Sequence, residues 1–195
     1  MEILVEEPSA EVALHTLVPK IVGRDVSFAI RRFKGKQDLL KRLPGVLRGY
    51  AARISWEALR VVVLIDRDAQ DCRELKQHLV GLADEAKLPS ELVLHRIVID
   101  ELESWFLGDV PALCAAYERV PKDLDKQARY RDPDGTGKAS RALEDLLRSK
   151  GYHRDRLAKV AAAEAIAQHM DVENNRSRSF QVFRDGLRCL VKEGK

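Results

Sequence analysis

Arg60-Val-Val-Val-Leu-Ile-Asp-Arg-Asp68 decides the fold class. From Val61 to Ile65 every residue is valine, leucine or isoleucine, with none of the polar alternation of a strand that shows one face to water. Such a run suits a strand covered on both faces, as in a parallel sheet. Upstream, Glu2–Val5 is a short β-leaning run, broken by Glu6–Ser9 with Pro8. From Glu11, the positions Val12, Ala13, Leu17, Val18 and Ile21 follow helical spacing, with Ser9 placed to cap that helix. Gly23–Asp25 turns the chain, and Val26, Phe28 and Ile30 then alternate with Ser27, Ala29 and Arg31 as in a strand. Gln37–Leu47 has an apolar stripe of Leu39, Leu40, Leu43 and Leu47, and Pro44 is expected to kink or divide that helix. Downstream, Asp71–Ala86 is amphipathic, Leu92–Ile99 is again continuous and β-rich, and a helical stretch begins near Asp100.

Strands alternating with helices predict an α/β fold over about residues 1–110, a Rossmann-like, doubly wound parallel sheet flanked by helices. Beyond it, Pro111–Tyr117, Lys138–Leu147, Arg154–Met170 and Ser179–Val191 read as helices, with a polar loop over Pro121–Lys138. Residues 111–195 are therefore expected to form a helical C-terminal extension packed on or beside the core.

The 195 residues are 45% hydrophobic and 33% charged, which excludes disorder for most of the chain. No apolar run approaches a membrane span, and the segment Met1–Glu11 carries acids where a signal peptide carries bases. Cys72, Cys114 and Cys189 have neither metal-ligand spacing nor an even number for disulfides. These features predict a soluble protein of the cytoplasm with no membrane partner. The net charge of +3 conceals a division along the chain. Residues 1–19 carry four acids and no Lys or Arg, 20–60 carry eleven bases against three acids, and 61–110 carry eleven acids against five bases. Acids beside bases suit an enzyme that holds a cation and acts on a polyanion, although charges also cluster along sequences without function.

In an open parallel sheet, ligands bind beyond the carboxyl ends of the strands. Glu6 follows the first strand, Asp66 and Asp68 follow Val61–Ile65, and Asp100, Glu101 and Glu103 follow Leu92–Ile99. In extended chain, residues two apart point the same way, so Asp66 and Asp68 are expected to converge. Clustered carboxylates repel one another unless a cation joins them, and hard divalent ions favour such oxygen ligands together with phosphate oxygens. The competing structural roles are helix capping for Asp68 and Glu103, and pairing with a basic side chain such as Arg67 or Arg96.

A strand ending in Glu6 before a helix, and Val61-Val-Val-Leu-Ile-Asp-Arg-Asp68 about sixty residues later, together resemble the TOPRIM domain of topoisomerases, primases and OLD-type nucleases. Glu7 departs from the pattern, standing where that domain usually has glycine. Glu103-Ser-Trp105, followed by Leu107 and Asp109, and Ser177-Arg-Ser-Phe180 further resemble a family of small stand-alone TOPRIM-like bacterial proteins of unknown function. The resemblance implies Mg²⁺ (or Mn²⁺) held by Asp66, Asp68, Glu6 and Glu103, with Glu6, Asp66 and Asp68 as the catalytic set. It also implies an ABC- or AAA-type ATPase partner and a place in a bacterial defence system.

On this reading, Arg31, Arg32, Lys34 and Lys36 face the phosphates of a nucleic acid, with Lys41, Arg42, Arg48 and Arg53 extending the basic set. Arg176 and Arg178 frame a second anion-binding turn, unless Ser177 or Ser179 simply caps the last helix. Asp132-Pro-Asp-Gly-Thr-Gly-Lys138 lacks the preceding strand and the spacing of an NTP loop. The five histidines show no zinc or nucleophile-base spacing. The alternative is a non-catalytic binding or regulatory subunit of an ATPase complex, favoured by Glu7. The helical second half offers a homodimer face.

Overall fold

The computed structural model describes residues 1–68, 70–152 and 155–192. Four strands, β1 (Glu2–Val5), β2 (Ala29–Arg32), β3 (Val61–Asp66) and β4 (Val93–Val98), form one parallel sheet in the order β2-β1-β3-β4. The chain is thus α/β, with its sheet flanked by helices. All six residues of β3 are buried, as its composition requires.

Alternation along the strands creates two packed faces. Leu4, Val61, Val63 and Ile65 meet α2 (Lys36–Ala51) and α3 (Cys72–Glu85) through Leu39, Leu43, Leu47, Leu75 and Leu79. Ile3, Val5, Val62 and Leu64 share the other core with α1 (Pro8–Val22), α4 (Glu103–Leu107), α5 (Val110–Ala116), α6 (Ala139–Ser149), α7 (Lys159–Ala167) and α8 (Arg178–Lys192). The later helices therefore complete the hydrophobic cover of one sheet face. Trp105 is central to it, fully buried against Phe180 and Phe183 at ring-centroid distances of 5.2 and 4.9 Å.

Several boundaries differ from expectation. Ser9 does not cap α1: Glu7 holds the N-cap position, Pro8 begins the helix, and the Ser9 hydroxyl donates to Glu7 Oε2. The second strand starts at Ala29 rather than Val26, because its register begins where β1 begins, Glu2 opposite Ala29. Pro44 leaves α2 undivided from Lys36 to Ala51, the buried stripe of Leu39, Leu43 and Leu47 continuing on both sides of it. Asp71, not Asp68, caps α3 by accepting from Arg73 N and Glu74 N. The helix expected from Arg154 begins at Lys159; Arg154 itself lies outside the described residues. The loop over 121–138 contains three short 3-10 turns. Among the described residues, no helix is long and apolar enough to cross a membrane.

Candidate carboxylate site at the strand ends

The order β2-β1-β3-β4 places the chain reversal between β1 and β3, and ligands of doubly wound sheets bind beside that switch point. Glu6 leaves β1 and Asp66 ends β3 there, and the Asp66 N–H donates to Glu6 Oε1 at 2.7 Å across the crevice. Both residues are buried, at 8% and 9% exposure. Glu103, at the start of α4, is 1% exposed and joins them from the β4 side. Leu102, not Glu103, holds the N-cap position of α4. Glu103 Oε1 has an ion-pair partner, the Lys159 ammonium, whereas its buried Oε2 meets neither an ion-pair nor a hydrogen-bond partner among the described residues.

Two lysines compensate part of this charge. Lys159 Nζ, from α7, lies 3.3 Å from both Glu7 Oε2 and Glu103 Oε1. Lys36 Nζ, at the start of α2, donates to the carbonyls of Asp66 (2.7 Å) and Arg67 (3.1 Å) and to Asp68 Oδ2 (2.9 Å). Glu6, Glu7, Asp66, Asp68 and Glu103 thus face two ammonium groups. Burial pushes the Asp66 carboxyl well above the usual aspartate range, and Glu6, Glu7 and Glu103 push the same way, with Lys159 opposing. Burial also raises Glu6, where the Asp66 N–H and Lys36 resist the shift. Glu103 is raised by burial against the pull of Lys159. Burial works against the Lys159 ammonium, but Glu103, Glu7 and Glu101 outweigh it and hold its pKa above the ordinary lysine value.

The two aspartates of Asp66-Arg-Asp68 do not converge as extended chain would make them. β3 ends at Asp66, and Asp68 sits in the left-handed region at φ 53°, so its carboxylate turns outward to Lys36. Asp100, after β4, is also left-handed, at φ 69°, and accepts from the Thr136 hydroxyl. Conformations of this kind persist only where their surroundings hold them, and they gather at ligand sites.

The basic residues separate into different roles. Lys36 is bound into the acidic cluster. Arg32 pairs with Glu11 at 2.8 Å on the α1 side of the edge strand. Arg31 and Lys34 are exposed. Arg176 spends its guanidinium on the carbonyls of Tyr130 and Arg131. Arg178 is exposed and donates to Gln181 Oε1 at 3.4 Å. The turn between them already holds an anion of the chain's own. Asp134 accepts from Ser179 N and from the Ser177 and Ser179 hydroxyls, while Ser177 Oγ caps α8 by accepting from Phe180 N. The two sequence signatures interlock here: Trp105 Nε1 donates to Ser179 Oγ, and Asn175 Nδ2 donates to the Trp105 carbonyl.

Lys159 is the site residue that the sequence did not single out. It stands 152 positions from Glu7, in a helix whose apolar pattern gave no sign of a charge turned inward. The hard oxygen donors Glu6, Asp66 and Glu103 suit Mg²⁺ or Mn²⁺, and Glu103 Oε2, the oxygen not paired with Lys159, leaves acceptor capacity for a cation. Among the described residues no three of these side chains already stand in a ligating arrangement, so binding would draw Glu103 and Asp66 together.

The family described as "Domain of unknown function (DUF4276)" has a model that matches residues 5–188. No curated protein and no solved structure matches the chain.

Proposed function

We propose that this chain, which belongs to the DUF4276 family, is a divalent-cation-dependent phosphodiesterase that acts on nucleic acid. The observation that carries the proposal is the excess of carboxylates over cations at the switch point of the sheet, with Glu103 buried near Asp66 and Glu6 and only its Oε1 paired, to Lys159. Buried like charges raise one another's pKa and are costly unless a cation is present. Asp66 and Glu6 would hold Mg²⁺ or Mn²⁺, with Glu103 beside them. A bound ion of this kind neutralises a scissile phosphate and lowers the pKa of attacking water. Glu6, tied to the Asp66 N–H through one oxygen, keeps its second oxygen for a proton or a ligand bond. Asp68 and Lys36 form the outer wall of the site, and Lys36 presents positive charge where a phosphate would approach.

The test is incubation with supercoiled DNA, linear DNA and RNA in Mg²⁺ or Mn²⁺, alongside Asp66→Asn and Glu6→Gln. Cation-dependent cleavage lost in both variants is the expected result. Equal activity in wild type and variants would refute the assignment.

One observation favours a second reading. Glu7 and Glu103 already share the Lys159 ammonium, so part of the site is neutralised by the chain itself. In that case the protein is a non-catalytic subunit, for which an ATPase partner in a bacterial defence system is the natural proposal. Calorimetry separates the two: Mn²⁺ binding abolished by Asp66→Asn supports the enzyme, and absence of any cation binding supports the subunit.

A further inference from the structure

On the opposite side of α2 from its leucine stripe lies an open groove of about 590 Å³, lined by Arg31 of the edge strand and by Lys41, Gly45, Arg48, Gly49 and Arg53. We propose that this groove binds single-stranded nucleic acid, with a base stacked on the exposed Trp56 three residues beyond the groove's Arg53. The inference rests on the polynucleotide reading of the carboxylate site and adds to it the strand form and the path.

Charge is the first argument. Arg42 and Arg53 are engaged by Asp38 and Glu57. Lys41 and Arg48 are exposed and pair with no acid among the described residues, while Arg31, also exposed, is engaged by the Tyr50 hydroxyl, which in turn donates to Glu2 Oε2. Two uncompensated cations along one groove, with Arg31 at its side, suit a phosphodiester backbone.

The floor of the groove is the second. Gly45 and Gly49 stand one helical turn apart inside a continuous helix, where glycine is unfavourable relative to alanine. A Cβ at either position would meet nothing within 4 Å. No contact inside the protein therefore requires these glycines, whereas a bare helix face lets a chain outside the protein approach the backbone closely.

Trp56 is the third. It is 69% exposed, the most exposed of the large apolar residues, and lies three residues past Arg53 of the groove, its backbone N–H bonding the Arg53 carbonyl. Stacking on an aromatic ring requires an unpaired base, which a duplex does not present. The groove and the carboxylate site share α2. Lys41 lies five residues along α2 from Lys36, roughly 8 Å along the axis, and Lys36 bonds Asp66, Arg67 and Asp68.

The experiment uses the full-length Asp66→Asn variant in EDTA, so that binding is read without cleavage. A labelled oligothymidylate and a duplex of the same length are titrated by anisotropy at two salt concentrations. Intrinsic fluorescence is followed in parallel, because the only other tryptophan, Trp105, is fully buried. The single strand is expected to bind more tightly and to quench Trp56. Trp56→Ala should weaken binding roughly tenfold, and Trp56→Phe should keep most of it. Lys41→Gln should reduce the salt slope by about 0.7. Gly45→Gln/Gly49→Gln should weaken binding without lowering the melting temperature. Equal affinity for the duplex, absence of quenching, or affinity unchanged in the glycine variant would overturn the proposal. Competition by polyglutamate as effective as by oligonucleotide would instead identify an acidic protein partner, and would also overturn it. Failure of the carboxylate reading leaves this binding intact, whereas failure of the groove leaves metal-dependent cleavage unaffected by Trp56→Ala.

Discussion

Lys159→Met is the most informative single change. Lys159 is the one side chain whose ammonium contacts both Glu7 and Glu103, and methionine keeps its length while deleting the charge. Removing one partner of a buried pair costs about 3–5 kcal/mol, because the other charge is left uncompensated. The Lys159 side chain is 35% exposed, so water screens part of the loss, while Glu103 at 1% has no such relief. The cost at pH 8 should therefore lie near the low end, about 3 kcal/mol. In a chain of this length that is a fall in melting temperature of roughly 6–12 °C. The effect has a definite pH dependence. The folded pKa of Glu103 is already raised, and without Lys159 it rises further, so the folded variant takes up a proton that the unfolded chain has lost. The penalty is then small below the ordinary glutamate pKa and grows as the pH rises through the raised value. Thermal and urea unfolding of wild type, Lys159→Met, Glu103→Gln and the double variant at pH 5 and pH 8 measure it. Glu103→Gln should recover most of the loss at pH 8, giving a coupling of about 2 kcal/mol in the cycle. A cost below about 0.5 kcal/mol, the size of an ordinary surface change, or one equal at both pH values would refute the electrostatic account of this site.

Gly108→Ala should destabilise by about 1–3 kcal/mol, measured by urea unfolding, because its Cβ would collide with Asn175 Oδ1 and lie 2.8 Å from Ser177 N. Asp134→Ala should cost about 1–3 kcal/mol by the same measurement, since it leaves Ser179 N and two buried serine hydroxyls without their acceptor. His95 is buried with Nδ1 unpartnered, and burial, with Lys76 and Arg96 nearby, pushes its pKa down to about 4. Its imidazole should stay neutral from pH 8 to 5 in an NMR titration. The folded value lies below the unfolded one, so stability contributed by neutral His95 is present above pH 6.5 and is lost as the pH falls toward 4.

How far the sequence reveals this molecule depends on the range of the interaction concerned. β3 is legible because burial on both faces leaves its mark on every residue from Val61 to Ile65. Glu6 and Asp66 are legible because the carboxyl end of a strand is a local address. Asp68 is misread because its direction depends on one backbone angle, φ 53°, which D-x-D spacing does not encode. Pro44 does not divide its helix, for the opposite reason: a local penalty is outweighed by Leu39, Leu43 and Leu47 packing along the whole helix. Arg176 and Arg178 resemble an anion site because the anion that fills the turn, Asp134, comes from a loop more than forty residues away.

Lys159 is the extreme case, and it bears on how the chain is divided. Glu7 and Glu103 belong to the sheet half, yet their only cation within ion-pair distance among the described residues comes from α7. The same helix packs on α1, and Trp105 of α4 is enclosed by Phe180 and Phe183 of α8. Residues 1–110 alone would leave α1, β4 and Trp105 without the α7 and α8 faces that pack on them and would strand Glu103 without a counter-charge. The carboxylate site is therefore a property of the whole chain, which accounts in physical terms for a family match that runs from 5 to 188 rather than stopping at the end of the sheet.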